Sequence, residues 1–134
     1  MAKETTISGI VCSGLQQGTF FTGLDWFQKN CSDSLGFVPY RGTFNIRIAG
    51  KEIIVWEKLQ NTLEALRVVP PVSEFCEGVL YRVKLNGQDA AVVKPVVPDY
   101  PNDLLEILAP FPVRATYSLK DGDKVSLVFE NYGE

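Results

Sequence analysis

Gly42-Thr43-Phe44-Asn45-Ile46-Arg47-Ile48 is the stretch of this chain where residue type and spacing point most directly to chemistry. Side chains alternate along an extended strand, so Thr43, Asn45 and Arg47 share one face while Phe44, Ile46 and Ile48 share the other. The apolar face is suited to a core. The polar face aligns a hydroxyl, a carboxamide and a guanidinium directly after the turn-forming run Leu35-Gly36-Phe37-Val38-Pro39-Tyr40-Arg41-Gly42. Thr43 and Asn45 could ligate a hard cation through neutral oxygens. Such a pair suits magnesium when a nucleoside triphosphate supplies the negative charge. Arg47 could support a phosphate. A solvated strand face with a surface arginine is the plainer alternative.

Other candidates are spread along the chain. Glu106 lies inside the apolar run Leu104-Leu105-Glu106-Ile107-Leu108-Ala109-Pro110, where a carboxylate needs a partner. That partner could be a structural salt bridge or cap, or Glu106 could hold a substrate hydroxyl. The loop Ser13-Gly14-Leu15-Gln16-Gln17-Gly18 offers backbone amides to an anion, or is simply a turn; it lacks both the Walker and the Rossmann glycine patterns. Trp26, Phe27, Phe37 and Tyr40 could stack on a flat ring or pack a core. Asp121-Gly122-Asp123 reads as turn chemistry.

The chain contains no histidine, which removes every mechanism that relies on an imidazole base. Its three cysteines, Cys12, Cys31 and Cys76, have no CxxC spacing and read as small buried hydrophobes rather than zinc ligands or a disulfide framework. Chemistry here must use carboxylates, hydroxyls, backbone amides or a hard metal ion. A net charge of −3 without a basic run disfavours nucleic acid as a partner. No membrane span or signal-peptide core is apparent, so a cytoplasmic address is expected. With 46% hydrophobic and 22% charged residues over 134 positions, the composition is that of one folded domain.

The elements that must position these residues are short. Thr6–Cys12 reads as a strand, Thr19–Gly23 as a short returning strand, and Leu24–Cys31 as a helix with Asp25 as a possible cap and Gly36 as its stop. Strands are expected at 43–48 and, less cleanly, at 52–56. The segment 59–69 has leucines at helical spacing but turns extended before Pro70-Pro71. Asn86-Gly87 between 75–85 and 89–93 is the strongest hairpin signal. Residues 103–108 could form a helical turn or a strand, and 116–119 with 124–129 a last hairpin around Lys120–Asp123. Many short strands with one or two short helices imply a mainly β protein, a small barrel.

In their order along the chain, four of these pieces resemble the CTP-dependent riboflavin kinases. They are Gly9-Ile10-Val11-Cys12-Ser13-Gly14-Leu15 with Gly18 and Phe21, then Leu35 to Asn45, Tyr100 to Pro110, and Leu119-Lys120-Asp121-Gly122-Asp123-Lys124-Val125. The resemblance implies a cradle-loop, riboflavin-kinase-like β-barrel that transfers the γ-phosphate of CTP to the 5′-hydroxyl of riboflavin, giving FMN and CDP. It implies that Thr43 and Asn45 hold Mg2+, and that Gly14, Leu15, Gln16, Gln17, Gly18 and Thr19 lie along the nucleotide phosphates. By the same likeness Phe111, Pro112, Val113 and Arg114 line the nucleotide pocket, Pro98 and Glu106 contact the flavin, and Glu106 orients the attacking hydroxyl. A monomer is expected. Gln16 stands where the family commonly has a glycine, and Pro98 where it tends to have a threonine. A flavin- or nucleotide-binding barrel without transfer is the alternative; a DNA-binding barrel is disfavoured by the charge.

Overall fold

The computed structural model describes residues 3–14 and 21–131. Seven strands are present among them: β1 (Lys3–Cys12), β2 (Phe44–Arg47), β3 (Leu66–Val68), β4 (Gly78–Leu85), β5 (Gln88–Pro95), β6 (Leu104–Leu108) and β7 (Lys124–Asn131). The described helices are α1 (Asp25–Leu35), α2 (Lys51–Gln60) and α3 (Val113–Tyr117). All strand pairings are antiparallel, and the ring β4-β5-β6-β2-β1-β7 closes on β4 through Lys84↔Val128 and Leu85↔Leu127. β3 adds to the other end of β4, at Gly78–Leu80. Closure removes most of the exposed strand edge that an open sheet would leave for aggregation.

Local chemistry accounts for several of these elements. Asn86 and Gly87 both have positive φ, 50° and 77°, as a two-residue hairpin turn requires, and they lock the β4–β5 register from Leu85↔Gln88 to Gly78↔Pro95. Gly36, at φ 84°, ends α1 with its N–H on the carbonyl of Ser32. Inward positions of the strands form the main core, including Ile7, Val11, Phe44, Ile46, Leu105, Ile107, Leu127 and Phe129. α2 adds Trp56, whose ring meets Tyr81 at 5.3 Å and Phe129 at 5.5 Å. α1 lies on the opposite sheet face, burying Phe27 and Cys31 against Val68, Leu80 and Leu108.

The structure corrects several local expectations. Residues 52–56 are helical: Ile53, Trp56 and Leu59 repeat at helical spacing on the core, which outweighs the β-branched run Ile53-Ile54-Val55. Phe21 and Thr22 are helical too and Gly23 is in a turn; Thr19 and Phe20 lie outside the described residues. Leu24, not Asp25, is the cap position of α1, without a side-chain hydrogen bond. The last hairpin does not form, because residues 113–117 turn into α3 after Pro112 and β7 pairs with β1 instead. Three helices with described bounds, besides the helical Phe21 and Thr22, therefore stand where one or two were expected. Residues 103–108 resolve as a strand with every β6 position buried. Of the cysteines, only Cys31 is fully buried, and burial pushes its thiol up to about 12; Cys12 is half-buried and Cys76 exposed.

Phe129 is fully buried at the meeting point of β7 and α2. Phe129→Ala is expected to cost about 3–5 kcal/mol by equilibrium urea unfolding, and a loss below ~1 kcal/mol would contradict this account of the core.

Candidate active site

Strand register builds the site. Cys12, Asn45, Glu106 and Val93 are successive partners across β1, β2, β6 and β5, so they form one lateral row. Their neighbours Phe44, Ile46, Leu105 and Ile107 point into the barrel, which turns Asn45 and Glu106 to the face covered by α1. The alternation read from 43–48 thus holds, and it gains a carboxylate opposite the carboxamide.

Glu106 is only 7% exposed, and its two oxygens have different partners. The Thr43 hydroxyl lies 3.1 Å from Oε1 and 2.9 Å from Asn45 Oδ1, so its single proton is shared between two acceptors. The Tyr100 hydroxyl donates to Oε2 at 2.5 Å. Asn45 Nδ2 donates to the Thr43 carbonyl at 3.2 Å. Among the described residues, hydroxyls rather than a salt bridge therefore hold the carboxylate, and no buried side-chain polar atom lacks a partner. Hydrogen bonds to a charged oxygen are the strong kind and offset the cost of desolvating it. Burial, then the bond to Glu106 and its charge, raises the Tyr100 phenol well above its ordinary value, so it remains a donor.

A pocket of about 190 Å³ opens beside this network. Phe21, Trp26 and Phe27 give it aromatic walls, and Thr43, Tyr100 and Glu106 form its polar end. Trp26 meets Phe27 at 5.9 Å and Phe75 at 5.8 Å, so the rings brace one another. An apolar slot with a few convergent polar groups is what a flat, partly polar ligand needs. Thr22, buried on the same wall, accepts the N–H of Gly42 at 2.5 Å and so fixes the entry to β2.

On the other side of Asn45 lies Gly14. A Cβ at Gly14 would stand 2.5–2.8 Å from the Asn45 carboxamide, closer than real atoms approach. Without a Cβ the chain leaving β1 can pass this close. Thr43 Oγ1 and Asn45 Oδ1, 2.9 Å apart, are neutral oxygens of the kind that fits a hard cation; among the described residues no cluster of three His, Cys, Asp or Glu could hold a metal. Arg114 reaches back to the Cys12 carbonyl at 3.1 Å and to Asp121 at 2.6 Å, which brings 111–114 beside the start of the glycine loop. Val113 itself packs into the barrel core. Leu15, Gln16, Gln17, Gly18 and Thr19 lie outside the described residues.

Not every candidate converges here. Arg47 is half-exposed and pairs with Asp103 at 2.8 Å, a hydrogen bond that raises its guanidinium pKa. Phe37 lines a different, wider depression of about 610 Å³ with Leu63 and Arg82, and Tyr40 is exposed. Pro98 is exposed on the loop between β5 and β6, between Val97 and Tyr100, which line the pocket. Asp121-Gly122-Asp123 is a turn, with Gly122 at φ 94°. Two contributors escaped the sequence reading. Tyr100 had no signal beyond its place in a recognised motif, and Thr22 sits in a segment read as a strand.

The fold and site define a small closed barrel with a buried carboxylate between an aromatic slot and a glycine-and-oxygen corner. Residues 11–129 match the family model CTP-dep_RFKase, described as a domain of unknown function, DUF120, and the chain belongs to that family. It is 32% identical over 135 residues to a riboflavin kinase of Methanococcoides burtonii, covering 96% of this chain and 58% of that protein. It is 32% identical to riboflavin kinases of Pyrobaculum islandicum, over 125 residues, and Archaeoglobus fulgidus, over 123. These alignments cover 90% of this chain in both cases and 58% and 53% of the respective relatives. The chain thus spans a little over half the length of the curated relatives it matches. Among the described residues no helix is long and apolar enough to cross a membrane.

Gly14→Ala must push the Asn45 carboxamide aside. It is expected to cost about 1–3 kcal/mol of stability and to shift the Asn45 side-chain amide signals in a 15N spectrum. Unchanged melting and an unchanged spectrum would contradict the close approach.

Proposed function

We propose that this protein is a CTP-dependent riboflavin kinase, transferring the γ-phosphoryl group of CTP to the ribityl 5′-hydroxyl of riboflavin. The observation that carries this reading is Glu106, a buried carboxylate at the junction of the aromatic pocket and the Gly14–Asn45 corner. The family label and the name riboflavin kinase borne by the relatives support the same assignment.

The isoalloxazine ring occupies the aromatic slot and the ribityl chain runs to the polar end. Glu106 Oε1 accepts the 5′-hydroxyl proton bond and aims the oxygen at the γ-phosphorus. The new O5′–P bond forms as the bond from phosphorus to the β,γ-bridging oxygen breaks. CDP leaves with that electron pair, and the hydroxyl proton passes to Glu106 or solvent. Such transfer depends on positioning and charge neutralisation, so the lack of histidine is no obstacle. Thr43 and Asn45 would hold Mg2+, which when bound neutralises phosphate charge. Gly14 lies along the phosphates, with 111–114 beside the base. Three unpaired cysteines suit a reducing cytoplasm.

The test is FMN formation from riboflavin with magnesium and CTP, ATP, GTP or UTP offered separately. Turnover with CTP is expected. Turnover only with another nucleotide would refute the donor assignment, and none with any, in protein that binds flavin, would make this a binding module. Glu106→Gln is expected to lower kcat by about 10²-fold, the lower range for a lost general base, while changing riboflavin binding far less. Asn45→Ala should cut turnover with the fold intact. Unchanged kcat in either variant would remove that residue's assignment.

A further inference from the structure

The Glu106 carboxylate could turn about its last bond and aim its lone pairs away from the pocket unless something holds its plane. A hydroxyl meets each oxygen: Thr43 lies 3.1 Å from Oε1 and Tyr100 2.5 Å from Oε2. They come from separate elements, the entry to β2 and the loop between β5 and β6, so together they fix the carboxylate plane. We propose that Tyr100 is a positioning residue for phosphoryl transfer, its phenol holding Glu106 Oε2 so that Oε1 faces the acceptor hydroxyl.

The surroundings of Tyr100 are built for this. Its loop is tied at both ends, by the Val96 N–H on the Glu77 carbonyl at 2.8 Å and by the Ile48 N–H on the Asp103 carbonyl at 2.8 Å. The Arg47–Asp103 ion pair, also 2.8 Å, adds a side-chain tie at the second end. Tyr100 walls the 190 Å³ pocket on one side and a smaller depression of about 80 Å³, shared with Trp56 and Asn102, on the other. The loop that carries the ring is therefore fixed independently of the hydroxyl, and a carboxylate pinned by a supported donor keeps one orientation. Removing the hydroxyl leaves Oε2 without its donor and frees the carboxylate to turn away from the acceptor.

The inference rests on the kinase reading, and the test separates the two. Tyr100→Phe keeps the ring, so riboflavin affinity, read by quenching of flavin fluorescence, is expected to stay within about threefold of wild type while kcat falls roughly tenfold or more. If Tyr100 acts through Glu106, the same substitution made in a Glu106→Gln background changes kcat less than about twofold. Wild-type kcat in Tyr100→Phe, an equal loss in both backgrounds, or a loss seen only in flavin affinity would each overturn the positioning role. A wild-type protein that makes no FMN from any nucleotide overturns the kinase reading and this role with it.

Discussion

A carboxylate placed in the middle of an apolar strand costs several kcal/mol unless its charge is met, and the structure around Glu106 is arranged to meet it. Among the described residues its partners are hydroxyls, Thr43 and Tyr100, rather than a cation. This choice has a chemical consequence. An arginine or lysine would neutralise the carboxylate and occupy it; two O–H donors stabilise the charge while leaving further lone pairs of a carboxylate oxygen open to a ligand hydroxyl. The same constraint dictates the backbone, because Glu106 must stand opposite Asn45 for Thr43 to reach it, and that register belongs to the β2–β6 pairing.

From this interaction the two halves of the site follow. The row Cys12–Asn45–Glu106–Val93 crosses four strands, so the glycine corner at Asn45 and the aromatic pocket at Glu106 stand on adjacent strands, held in register by ladder hydrogen bonds. α1 supplies Trp26 and Phe27 to the pocket while burying Cys31 beneath, which makes one helix both lid of the outer core and wall of the slot. The Gly42–Thr22 bond aligns the strand that carries Thr43 and Asn45. Precision at the site thus comes from sheet register and core packing rather than from long side chains.

Much of this was readable from residue order because it is local. The alternation at 43–48, the Asn86-Gly87 turn, the stop at Gly36 and a carboxylate needing a partner at 106 all depend on a few adjacent residues. What could not be read depends on distant ones. β7 joins β1 across most of the chain, so a local turn around Lys120–Asp123 suggested the wrong partner. Residues 51–60 are helical because Trp56 fills a space between Tyr81 and Phe129, and nothing within the segment reports that space. Thr22 and Tyr100 acquire roles only through contacts 20 and 6 positions away. The glycine loop, whose pattern suggested phosphate binding, lies mostly outside the described residues, so only Gly14 of it has a structural account.

The most direct measurement is a crystal structure of the protein with riboflavin and a CTP analogue that cannot be cleaved between its β- and γ-phosphates. The account requires the flavin ring between Phe21, Trp26 and Phe27, with the ribityl 5′-oxygen about 3 Å from Glu106 Oε1 and the γ-phosphate on the Asn45 side. A flavin seated instead in the wider depression beside Phe37 and Arg82, or a 5′-oxygen out of reach of Glu106, would contradict it.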